Sequence, residues 1–208
     1  MNLAGPMEMT SADGKKYFLI IVNDYSHGNW IESLTFKSET VPNVQEFIRH
    51  FKTGYDVKVH TIMANNGTEF VNIDMQCFLR SKVITLYTSI PYTHEQNSVT
   101  EQAIHTITKG VHAMLYVSKL PKNLWSVVVK VMAYLHNRSP TQADNGVMLL
   151  EHIIGENPDL THLRIFGSPV SIAVPKEKCK KWDDRSGMGY MVGYEPYPSS
   201  YLVCYPGA

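Results

Sequence analysis

The run Lys16-Tyr17-Phe18-Leu19-Ile20-Ile21-Val22 constrains the fold more than any other stretch. It is continuous, apolar and rich in aromatic and β-branched side chains, which reads as a buried strand. Asn23 to Asn29 follow with turn chemistry, and Trp30 to Phe36 alternate as a returning strand should. A mixed sheet is therefore expected, and what comes after supplies its covering helices. Pro42 sits at a first helical turn, with Val44, Phe47, Ile48 and Phe51 on one face and Gly54 as the stop. Val57 to Met63 predict a strand, Ile73 to Lys82 a helix, and Val83 to Tyr87 a further short strand. A helical pattern spans about Gln96 to Val117, and another helix starts at Pro121 and runs through Trp125, Val128, Met132 and Leu135. This order predicts an α/β fold with a mixed sheet packed on helices.

The segment Pro158 to His162 reads as a junction. Beyond it, Leu163 to Val174 and Gly189 to Tyr194 are strand-like, separated by a charged turn. A small all-β unit with few strands and an unclosed edge is expected there. The chain thus divides into 1–160 and 161–208.

Composition narrows the function classes. Nineteen basic and nineteen acidic residues cancel, which counts against tight nucleic-acid binding, since that needs excess cations to displace counterions from phosphates. A local patch at Lys176, Lys178, Lys180, Lys181 and Arg185 is the exception. No apolar tract reaches the length of a membrane span, and the opening residues lack the pattern of a signal peptide, so an intracellular location is the default. Cys77, Cys179 and Cys204 are odd in number and far apart, predicting free, buried thiols rather than a disulfide framework. The histidines show no zinc-ligand spacing.

Six blocks carry a resemblance. They are Leu3-Ala4-Gly5-Pro6, Asn65-Asn66-Gly67-Thr68-Glu69-Phe70, the stretch from Pro91 to Glu101, Leu120 to Trp125, Asn137-Arg138-Ser139-Pro140, and His162 to Gly167. In this order and at this spacing they resemble the integrase region of copia-type retrotransposon polyproteins, over nearly the whole chain. The resemblance implies a ribonuclease H-like core, here shortened at its N-terminus and without the zinc-binding segment that precedes it in the family. A truncated small β-barrel unit would follow.

It also implies a metal site. In the family two aspartates and one glutamate hold two Mg²⁺ ions, which sit about 3.5 to 4 Å apart and activate the attacking and leaving oxygens of DNA strand transfer. The family's first aspartate falls on Asn2, its second on Asn65, and its glutamate on Glu101. One carboxylate of three remains. An amide keeps the shape of the acid but none of its charge, so Mg²⁺ binding is expected to be weak or absent and the chain catalytically inactive, with DNA as an ancestral partner.

The helix after Glu101 departs from the family as well. Gln102, Ala103, Ile104 and His105 stand where an Asn and basic residues are common, leaving Lys109 as one cation for a DNA backbone, and Ser98 stands where glycine is usual. Three replacement ligands deserve weighing. Asp24, at a strand end, is better read as a turn residue bonded to backbone, while Asp74 and Glu69 fit a helix N-terminus. Three functional readings remain: an inactive integrase fragment, nuclear where such a protein acts; a non-catalytic module that keeps the fold to bind nucleic acid or protein; and an active nuclease using replacement ligands. Homo-oligomerisation is open.

Overall fold

The computed structural model describes residues 1–89, 98–141, 146–173, 186–195 and 200–205. The buried run forms β2 (Tyr17–Val22), flanked by β1 (Asn2–Ala4) and β3 (Asn29–Leu34) in an antiparallel sheet of order β1-β2-β3. The register pairs Leu3 with Leu19 and Ile20 with Ile31. A second, parallel pair joins β4 (Thr61–Ala64) to β5 (Thr85–Thr88). The Met1 backbone nitrogen donates to the Met63 carbonyl at 2.6 Å, which sets the edge of β1 against β4.

β2 explains why its sequence is apolar throughout. Alternate residues point to opposite faces, and each face is covered. Leu19 joins Leu34, Val44, Ile48, Phe70, Met75 and Leu79 in one core, under α1 (Thr40–Tyr55) and α2 (Ile73–Ser81). Phe18 and Ile20 join Ile107, Val111, Trp125, Val128 and Val129 in the other, under α3 (Ser98–Ser118) and α4 (Trp125–Asn137). The result is a mixed α/β fold with helices on both sides of the sheet. Burying a side chain such as Leu19 or Ile20 completely stabilises the fold by about 1.5–3 kcal/mol.

Several local expectations shift by a few residues. α1 runs past Gly54 and stops where Asp56 adopts a left-handed conformation (φ 51°), which short polar side chains tolerate. β4 begins at Thr61 rather than Val57, because β5 offers ladder partners only from Thr61 onward. β1 and the one-turn helix α5 (Glu151–Ile154) are too short to leave a periodic signature. Cys77 is free but exposed, contrary to the buried reading, because Met75 and Leu79 take the inward positions of α2. Cys204 is half-buried, and Cys179 lies outside the described residues.

In the C-terminal part, β6 (Pro169–Ala173), β7 (Ser186–Tyr194) and β8 (Tyr201–Cys204) form a three-stranded antiparallel sheet. It is fastened to α4 by aromatic rings: Tyr194 stacks on Tyr134 with centroids 4.8 Å apart, and the Tyr134 hydroxyl lies 2.6 Å from His162 Nε2. Gly167, at φ 77°, lies so close to Ser118 that an added Cβ would stand 2.5 Å from the serine Cβ. Glycine is therefore required at that crossing. Among the described residues, no helix is long and apolar enough to cross a membrane.

Candidate functional site: an amide pair at the sheet edge

Two of the three expected positions meet. Asn2 lies in β1, paired with Ile20, and Asn65 directly follows β4. Sheet geometry brings their side chains together, and Asn65 Nδ2 donates to Asn2 Oδ1 at 3.0 Å. The same oxygen accepts the Leu3 backbone N–H at 2.8 Å. That second bond fixes the orientation of both amides, since only an oxygen can face the Leu3 N–H, and a side chain bonded to that oxygen must present its NH₂ group.

The turn after Asn65 is built around Gly67 and Phe70. Phe70 is completely buried and its N–H bonds to the Gly67 carbonyl at 3.0 Å. The Glu69 carboxylate folds back so closely that a Cβ on Gly67 would stand 2.7 Å from it. Glycine leaves room for this return. On the other side, Gly5 takes φ 122°, and a Cβ there would meet the Lys16 carbonyl at 2.7 Å. Both family blocks thus hold the backbone that carries the two asparagines.

This donor set does not fit a pair of divalent ions. Both lone pairs of Asn2 Oδ1 are occupied by N–H donors, and the Asn65 amide presents its NH₂ group toward Asn2. Asn65 Oδ1 is buried without a hydrogen-bond partner. It is the one amide oxygen of the pair left free, and it is neutral. Glu101 is placed in the first turn of α3, exposed to solvent and bonded to neither asparagine. Among the described residues no three Asp, Glu, His or Cys side chains converge as metal ligands.

None of the three replacement acids joins the pair. Asp24 is exposed, and the backbone bonds expected of it are made by its neighbour instead: Asn23 Oδ1 accepts from Tyr25 N at 3.0 Å and Ser26 N at 2.9 Å. Asp74 is exposed in the first turn of α2, whose cap is Asn72, its side chain accepting the Met75 N–H at 2.8 Å. Lys109 is exposed on α3. Lys176, Lys178, Lys180, Lys181 and Arg185 lie outside the described residues.

A second asparagine pair was not singled out from the sequence, although Asn137 belongs to one of the six blocks. Asn137 Oδ1 accepts the Asn29 N–H and its Nδ2 donates to the Asn29 carbonyl, both at 2.7 Å and both buried. This fastens the end of α4 to the start of β3. His136 Nδ1 lies 3.0 Å from Asn29 Nδ2, and burial pushes the His136 pKa below its ordinary value. Arg138 lies over the Tyr134 ring at 3.5 Å.

No protein-family model matches the chain. Its sequence is 30% identical over 194 residues to the retrovirus-related Pol polyprotein from transposon TNT 1-94 of Nicotiana tabacum. It is 26% and 27% identical, each over 192 residues, to the retrovirus-related Pol polyproteins from transposons RE2 and RE1 of Arabidopsis thaliana. These matches take in 93%, 92% and 92% of this chain, but it spans only 14%, 13% and 13% of the three polyproteins.

Proposed function

Because the chain belongs with the retrovirus-related Pol polyproteins of transposons, as the counterpart of one segment of them, we propose that it is a ribonuclease H-like integrase core that has lost its metal-dependent chemistry. The observation that carries this reading is the 3.0 Å bond from Asn65 Nδ2 to Asn2 Oδ1. Two acids this close repel one another, and a bound cation relieves the repulsion. Two amides attract each other with no ion present. The substitution therefore removes two negative charges and also turns a site that needs metal into one that is closed without it.

The fold supports the ancestry. A three-stranded antiparallel sheet set beside a parallel pair, with helices on both faces, is the layout expected of a ribonuclease H-like core, and the expected triad positions fall on β1, just after β4, and on α3. The ancestral reaction is DNA strand transfer using Mg²⁺. What remains for this chain is nucleic-acid contact along the exposed face of α3, where Lys109 would neutralise one phosphate. Such contact is weak and depends on salt.

Thermal unfolding with and without millimolar Mg²⁺ or Mn²⁺ tests the proposal. The chain should show no shift, whereas Asn2→Asp with Asn65→Asp should be stabilised by either ion. Clear stabilisation of the unmodified chain, or cation-dependent joining of an oligonucleotide by it, would overturn the reading.

A further inference from the structure

We propose that the apolar groove between α3, the loop after β1 and the start of α4 seats an acidic, amphipathic helix of a partner protein. The groove encloses about 1120 Å³ and is lined largely by apolar side chains. Its floor includes Phe18, Val111 and Trp125, which also belong to the core beneath. Its walls are left open: Met9 is 49% exposed, Val117 77% and Tyr116 86%. Large apolar side chains gathered around one concavity, with this much surface in water, mark a binding surface.

Shape and charge select the occupant. The groove follows α3 from Ile104 to Val117, about 20 Å at 1.5 Å per residue, or between three and four helical turns. That length matches a helix presenting anchors at positions i, i+3 or i+4, and i+7. The charged side chains in the lining are Lys119 and Lys122, and no acid is among them. Both lysines are exposed and neither forms an ion pair among the described residues. Lys119 stands where α3 ends, its backbone in the left-handed region at φ 56°, so one cation is placed at the groove's end. A partner helix with apolar anchors and carboxylates at that end satisfies both features.

Fluorescence anisotropy of the full chain with a labelled peptide of about 16 residues tests this. The peptide carries leucines on one helical face and two glutamates at one end, and a matched peptide carries lysines in place of the glutamates. The acidic peptide should bind saturably and the basic one much more weakly. Lys119→Glu with Lys122→Glu should reverse that preference, weakening the acidic peptide at least about tenfold. Thr108→Trp, an exposed position lining the groove, should abolish binding of both while circular dichroism stays unchanged. Equal binding of the two peptides, or indifference to the charge reversal or to Thr108→Trp, would overturn the proposal. So would failure of the acidic peptide where sodium dodecanoate binds, or where the chain itself associates through the groove.

Discussion

Two asparagine pairs join distant parts of this chain, and they do so on different terms. Asn137 wraps the Asn29 backbone with two short, reciprocal bonds in a buried setting, and each partner is needed by the other. Asn2 and Asn65 share one side-chain bond at the sheet edge, and Asn65 Oδ1 is left buried and unmatched. The first pair is an architectural joint between α4 and β3. The second joins two side chains that β1 and the turn after β4 direct at one point. Each pair leaves one buried amide oxygen without a partner, Asn29 Oδ1 in the first and Asn65 Oδ1 in the second, so the two differ in what the bonds reach: backbone on both sides of Asn29, but only one side-chain contact between Asn2 and Asn65.

The contrast makes graded predictions. Asn137→Ala leaves a buried N–H and a buried carbonyl of Asn29 unpaired, and should lower unfolding free energy by about 2–4 kcal/mol in urea titrations. A loss under about 1 kcal/mol would mean the joint is not structural.

Asn2→Asp with Asn65→Asp sets two carboxyls at the present 3.0 Å contact. One should bind its proton more tightly, and stability at pH 7 without divalent ions should fall by about 1–3 kcal/mol. Added Mg²⁺ should recover most of it, and calorimetry in the two conditions reads the difference. Failure of Mg²⁺ to restore stability would place the pair outside any former metal site.

The His136 contact adds a pH dependence to the first pair. Burial depresses the folded-state pKa of His136 below 6.5, so below that pH the unfolded chain binds the proton more readily than the folded one. Stability should therefore fall as pH drops from about 6.5 toward the folded-state value and level off beneath it. His136→Phe should flatten that slope in urea midpoints measured across the window, and an unchanged slope would assign the titration elsewhere. The smallest effect belongs to neither pair. Lys130→Met breaks the 2.6 Å ion pair with Glu32, but both side chains are nearly half exposed, so the change should stay below about 1 kcal/mol.

The six blocks found in the sequence divide along similar lines once their contacts are known. Gly5 and Gly167 are each held by a close approach that a Cβ would obstruct, and both take positive φ. Trp125 fills the core and its Nε1 donates to the Met9 carbonyl at 2.8 Å, fastening the loop after β1. Asn137 is the joint described above. Most of the blocks are thus scaffold. The candidate site was legible because residue identity at three spaced positions is a sequence fact. The second asparagine pair was not, since nothing about two asparagines 108 positions apart announces that they touch. The groove was hidden for the same reason: its apolar residues read as core until neighbouring elements are seen to leave them open.

By itself, the sequence determined the longer strands and helices, the burial of β2 and the presence of asparagine at two positions where the resemblance implies aspartate, because periodicity, composition and residue type are local properties of the chain. Only the tertiary structure decided that the replacing amides bond to each other, that Glu101 stands apart from them in solvent, and that α3 keeps an open apolar flank. Each of those depends on how far apart side chains lie after folding, and that distance is set by packing between elements remote in sequence.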